Sequence, residues 1–153
     1  MNDDWLDLLR ALVSTGARFL VVGAHAMAVH GVPRGTQDLD VWIEPSAENA
    51  PRVWEALASF GAPLSSLGIT REDFTQPGAV IQIGVPPNRI DVLTTISGVP
   101  DFAAAWRERR VHEVRGHPVP FLGRATLVTN KRASGRRKDL ADLEALGELP
   151  PLP

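Results

Sequence analysis

Cysteine is absent from the 153 residues. Disulfides and cysteine-ligated zinc are thereby excluded, and a reducing cytoplasm is the expected compartment. No apolar run approaches the roughly 18 residues that a membrane span needs, so no membrane partner is expected. The opening Met1-Asn2-Asp3-Asp4 is acidic and leads straight into an amphipathic segment, unlike a secretory signal. Internal repeats are missing as well. Charge imbalance is small: the formal net charge is −2, which argues against a protein that coats nucleic acid by bulk electrostatics.

What remains is the composition of an ordinary globular chain. With 44% hydrophobic and 22% charged residues, a domain of this length can bury a core without covalent staples. One compact domain over residues 1–149 is expected. The last residues, Pro150-Pro151-Leu152-Pro153, read as an unfolded tail. Basic residues are unevenly spread: Arg124, Lys131, Arg132, Arg136, Arg137 and Lys138 crowd near the C-terminus.

Periodicity places the elements. Asn2 or Asp3 caps a first helix carrying Trp5, Leu8, Leu9, Leu12 and Val13, and Gly16 stops it. Residues 18–22 read as a strand, 24–30 as a short helix with Gly31 past its end, and 32–37 as a loop. Asp38 to Ile43 alternates as a strand does, with Leu39, Val41 and Ile43 on one face and Asp38, Asp40 and Trp42 on the other. Ser46 is the expected cap of a helix ending at Gly61, and a helical turn follows near 70–74. Strands are expected at 79–84 and 89–94, a helix at 100–107, and a hairpin of 111–114 with 119–121. Helices at 125–132 and 135–146 complete the chain, the last with Leu140, Leu143 and Leu146 on its apolar face. This order predicts an α/β (α+β) fold, a mixed β-sheet flanked by α-helices.

The candidate chemistry lies in carboxylates on strands. Side chains two apart on a strand project from one face, so Asp38 and Asp40 stand side by side. Like charges that close call for a cation or a shared proton. Oxygen ligands without cysteine or a histidine cluster favour Mg²⁺ or Mn²⁺. Asp91 sits between Ile90 and Val92 in an apolar run, where an unpaired charge is costly. It completes a three-carboxylate cluster if the 89–94 strand lies beside 38–43, and is otherwise a solubilising charge on an edge strand. Upstream, the 18–22 strand ends at Gly23, where a glycine and a helix start let a phosphate approach the backbone. Gly23 alone could equally be a turn glycine.

Val22-Gly23-Ala24 followed by Asp38-Leu39-Asp40-Val41 resembles the glycine and D-x-D motifs of the DNA polymerase β-like nucleotidyltransferase superfamily. The stretch with His25-Ala26, His30-Gly31, Arg34 and Thr36 is more similar still to the AbiEii-like abortive-infection toxins and related small bacterial proteins. Ile90-Asp91-Val92-Leu93 looks like the superfamily's third acidic strand, and Lys131 with Lys138-Asp139 and Asp142 resembles that group's downstream helix motifs. The resemblance spans about residues 18 to 146. One departure stands out: Ala24 occupies a position that is usually serine or glycine, and lacks the hydroxyl that helps hold a phosphate. A large acceptor-binding domain is not expected in so short a chain.

The resemblance implies a metal-dependent enzyme that moves a nucleoside monophosphate from an NTP to RNA (such as tRNA), a protein hydroxyl or a small molecule. It also implies a possible toxin–antitoxin role with a cognate antitoxin. Asp38 and Asp40 would hold two cations, and Asp91 would ligate the catalytic one and take the acceptor proton. Gly23, Ala24, Arg34, Thr36 and Lys131 would bind the nucleotide, with Arg34 either clamping a phosphate or pairing with Asp38. Two other readings stay open: a catalytically silent nucleotide-binding or regulatory protein, and a metal-dependent ribonuclease. Lys138 and Asp142 read as an exposed helix pair. His25 and His30, five apart, lie about 140° apart around a helix and share no face. His112 and His117 are expected in solvent, and Trp5, Trp54 and Trp106 in the core. Trp42 either lines the nucleotide pocket or packs inside.

Overall fold

The structure is a computed structural model and describes residues 1–148. The expected tail at 150–153 lies outside the described residues.

The elements follow the predicted order. They run α1 (Asp3–Ser14), β1 (Phe19–Val22), α2 (Gly23–Val29), β2 (Asp38–Ile43), α3 (Ala50–Phe60), a 3-10 turn (Arg71–Thr75), β3 (Val80–Ile83) and β4 (Arg89–Leu93). Then come α4 (Phe102–Arg107), β5 (Arg110–Val114), β6 (His117–Phe121), α5 (Arg124–Ser134) and α6 (Arg137–Ala145). Asn2 caps α1 by accepting a hydrogen bond from the Trp5 N–H.

The strands form one mixed six-stranded sheet in the order β3-β4-β2-β1-β6-β5. β2 runs antiparallel to β1 and parallel to β4. Strand alternation sorts side chains into two layers. Leu39, Val41 and Ile43 face one way and, with Phe19, Val21, Ile90 and Val92, pack under α1 and α3. Leu20, Val22 and Trp42 face the other way, toward α2, α4, α5 and α6. Asp38, Asp40 and Asp91 share the parity of Trp42 and so lie on this second side.

Three expectations change. Helix α3 begins at Ala50, not after Ser46. Ser46 instead accepts from the Asn49 N–H, and the buried Asn49 amide bonds Arg18 and Glu44 backbone groups from a neighbouring segment. Leu140 is 41% exposed. The inward face of α6 is built by Asp139, Asp142, Leu143 and Leu146. Trp5 is buried as expected, whereas Trp54 and Trp106 are half-buried beneath arginines, Arg71 and Arg109 respectively. No described helix is long and apolar enough to cross a membrane.

Candidate functional site

The β2–β4 register decides whether the acidic cluster exists. Parallel pairing sets Asp40 opposite Asp91 and Asp38 opposite Arg89. Paired residues on adjacent strands point to the same face, so three carboxylates and one guanidinium share a small area. Asp91 is therefore no edge-strand charge: β4 lies between β2 and β3, and Asp91 is only 8% exposed.

Gly23 stands directly against this cluster. Its φ is +68°, in the left-handed region, and a Cβ added there would collide with Asp40 Oδ2. Glycine is thus required twice, by backbone conformation and by contact, and the turn reading alone is insufficient. We expect Gly23→Ala to destabilise the protein by about 1–3 kcal/mol. Denaturant unfolding measures this, and an unchanged midpoint would show that the corner relaxes freely. Helix α2 opens at Gly23 with no side-chain cap, and at seven residues it carries only a small dipole.

A cleft of about 780 Å³ opens over the cluster. Gly23, Ala24, Arg34, Thr36, Asp38, Asp40, Asp91 and Lys131 all line it. The residues singled out from the sequence are thus brought together. Thr36 fixes the entry to β2: its hydroxyl accepts from the Asp38 N–H at 3.1 Å and donates to the Asp38 carbonyl at 3.0 Å.

The arginine and lysine contacts differ from expectation. Arg34 pairs with Asp142 at 2.7 Å, not with Asp38. Asp38 is held by Arg89, whose Nη2 also reaches Asp91, at 3.0 and 3.2 Å respectively. Lys131 is buried, with its ammonium 2.9 Å from Asp142 and 3.3 Å from Asp139. Asp142 is therefore not half of an exposed pair with Lys138; it is buried and joins Arg34 to Lys131. Asp139 is fully buried and also accepts from the Arg136 backbone N–H and Nε. Burial alone would raise its pKa, but the Arg136 hydrogen bonds and the Lys131 charge hold it below the usual carboxylate value.

Arg89 and Asn130, unremarked in the sequence, also line the cleft, as do Arg136 and Lys138, which the sequence marked only as part of a basic cluster. Lys138 enters no ion pair among the described residues, and its charge acts on Asp40 across the cleft. Trp42 takes the core alternative. It is buried, its indole N–H donates to the Thr94 carbonyl, and its ring meets Phe102 edge-on. His25 and His30 work separately, as expected. His30 Nε2 lies 2.8 Å from the Leu122 carbonyl oxygen. His25 packs edge-on against Trp5, and burial lowers its pKa, keeping it neutral.

Asp40 carries the largest electrostatic load. Burial pushes its pKa up, the charges of Asp91 and Asp38 push it further, and it reaches about 6. Among the described residues, no three carboxylate or histidine groups already converge as a metal cage. Asp38 is turned onto Arg89 instead. The donor set nonetheless fits a hard divalent cation. All donors are oxygens, the like charges raise Asp40, and Asp91 Oδ1 is buried with no hydrogen-bond partner among the described residues.

No family model matches the sequence, and no curated protein matches it. A solved structure does. It is a Thermotoga maritima protein provisionally named a nucleotidyltransferase, superposing with a TM-score of 0.57 at 14% identity over 96% of this chain and 92% of that one. At that identity the likeness is one of fold, and it extends over nearly the whole chain.

Proposed function

We infer that the cleft binds a nucleoside triphosphate with Mg²⁺ or Mn²⁺ and transfers the nucleoside monophosphate to an acceptor hydroxyl. The observation that carries this reading is the Asp40–Asp91 register beside Gly23. The half-buried Asp40 and the buried Asp91, one of whose oxygens has no partner among the described residues, lie where a glycine keeps the backbone open.

In this reading the acceptor oxygen attacks the α-phosphorus, the bond to the bridging oxygen breaks, and pyrophosphate leaves. A bound divalent cation supplies charge neutralisation and lowers the acceptor hydroxyl's pKa. Asp40 and Asp91 would hold that cation, and Asp38 would join them once released from Arg89. Asp91, one of whose oxygens is buried without a hydrogen-bond partner among the described residues, would take the acceptor proton. Gly23 would let a phosphate oxygen come near the main chain. Lys138, exposed on the facing wall and in no ion pair among the described residues, would offset triphosphate charge. Lys131 is already neutralised by Asp139 and Asp142, so its role in this reading is to hold that wall.

The acceptor is a hydroxyl of RNA, protein or a small molecule. The C-terminal basic cluster offers RNA less than its composition implies. Arg124 and Arg132 both pair with Glu148, and Lys131 and Arg136 pair with Asp139. A place among AbiEii-like toxins, with a cognate antitoxin, is the narrower form of the proposal and rests on the sequence motifs.

The test is to incubate the protein with each labelled NTP, Mg²⁺ and total tRNA or cell lysate, beside an Asp40→Ala control. Label transfer that disappears in the control supports the proposal. RNA shortened without NTP would replace it with a nuclease, and NTP bound but never transferred would replace it with a binding protein.

A further inference from the structure

Among the described residues Arg89 is the one cation paired with the carboxylates of the cluster, and its contacts are incomplete. A single nitrogen, Nη2, reaches both Asp38 Oδ2 and Asp91 Oδ2. A guanidinium that pairs with a carboxylate for stability alone tends to do so with two parallel N–H bonds. Here Arg89 Nε and Asp91 Oδ1 are both buried, and neither has a hydrogen-bond partner among the described residues. Buried polar groups are otherwise almost always satisfied. The positive charge is thus in place while the hydrogen bonding of the pair is unfinished. The side chain is also 32% exposed and borders the open cleft, so it can rotate away without unpacking the core.

Resting on the metal-site reading above, we propose that Arg89 is a positioning residue that exchanges with the divalent cation. In the cation-free protein its guanidinium neutralises Asp38 and Asp91 and keeps the cluster folded. It also holds the Asp38 carboxylate, and among the described residues no three groups converge on one point. Cation entry displaces Arg89 into the cleft and frees Asp38 to complete the site. Arg89 then competes with the cation it makes room for, so loading is weaker than the carboxylates alone would give. The device keeps like charges from being left unpaired when no cation is bound.

The test is Mn²⁺ binding, read by electron paramagnetic resonance of the free ion, for the wild type, Arg89→Gln, Arg89→Lys and Asp91→Asn. Removing a positive charge that competes for the same carboxylates should tighten binding of a divalent ion on the order of tenfold. Arg89→Gln should therefore bind Mn²⁺ about tenfold more tightly than the wild type. Arg89→Lys should stay near the wild type, and Asp91→Asn should bind less. Equal or weaker binding by Arg89→Gln, with the wild type still binding, overturns the role of Arg89 and leaves the metal site standing. Absence of binding in every form overturns both. Should Arg89→Gln not fold, the wild type decides the matter by nitrogen-15 spectra. The Arg89 Nε resonance, identified by its loss in Arg89→Lys, should shift saturably with Mg²⁺. A resonance that stays put while the ion binds overturns the exchange.

Discussion

Asp40→Asn is expected to abolish nucleotide transfer by about a thousandfold and, without metal, to make the protein more stable. The two effects have one origin. Asp40 is half-buried beside Asp91 and Asp38, and its pKa rises from 3.8 to about 6. The folded protein thus holds a proton that the unfolded chain releases. The stability from that proton is fully present below the unfolded value and is lost as pH rises through about 6. At neutral pH the charged form then costs up to about 3 kcal/mol. Asparagine keeps the shape and carries no charge. The variant should therefore exceed the wild type in metal-free stability at neutral pH, and the gap should close as the pH falls towards 4. Saturating Mg²⁺ should narrow the gap by stabilising only the wild type. Denaturant unfolding across pH measures both. A variant less stable than the wild type at neutral pH would mean that Asp40 is a structural ligand of the fold and bears no stored repulsion.

Asp139→Ala should have the largest cost to stability. Asp139 has no exposed surface, and it accepts from Lys131, from the Arg136 side chain and from the Arg136 backbone at the start of α6. Lys131 is itself only 6% exposed. Removing Asp139 breaks a buried ion pair, leaves Lys131 to Asp142 alone and takes the acceptor from the start of α6, at a cost of about 3–5 kcal/mol. For a chain of this size the unfolding temperature should fall by roughly 10 °C or more. Lys131→Met made together with Asp139→Asn should cost less than the sum of those two changes made singly, because the pair is then removed as a unit. Additive costs would show that the two side chains do not depend on each other. Asp139 is held below the usual carboxylate range, so its contribution exists above the unfolded pKa and is lost in acid.

The sheet and its acidic strands were legible because alternation is a local signal. Leu39, Val41 and Ile43 against Asp38 and Asp40 fix a face without any knowledge of the neighbours. Asp91 was legible as a charge in an apolar run, but its partner was not. Its place opposite Asp40 depends on a parallel register between segments about fifty residues apart. Arg89 was missed for the same reason, since nothing local in Arg89-Ile90-Asp91 shows that it sits opposite Asp38. The apolar-face rule failed on α6 because two carboxylates, Asp139 and Asp142, take core positions. Their burial is tolerable only with Lys131 and Arg34, which come from another helix and another loop. Ser46 misled for a related reason. The helix starts only after Asn49, whose amide caps nothing in α3 and instead bonds a segment thirty-one residues away.

The central claim is that Asp38, Asp40 and Asp91, with Gly23 against them, form a site for a nucleoside triphosphate and its cation. Calorimetric titration of each NTP into the protein, with Mn²⁺ and with chelator, tests it most directly. The account predicts binding of at least one NTP at a single site, dependent on Mn²⁺ and lost in Asp40→Asn. Absence of heat from every NTP in Mn²⁺, or binding that survives both chelator and Asp40→Asn, would contradict it.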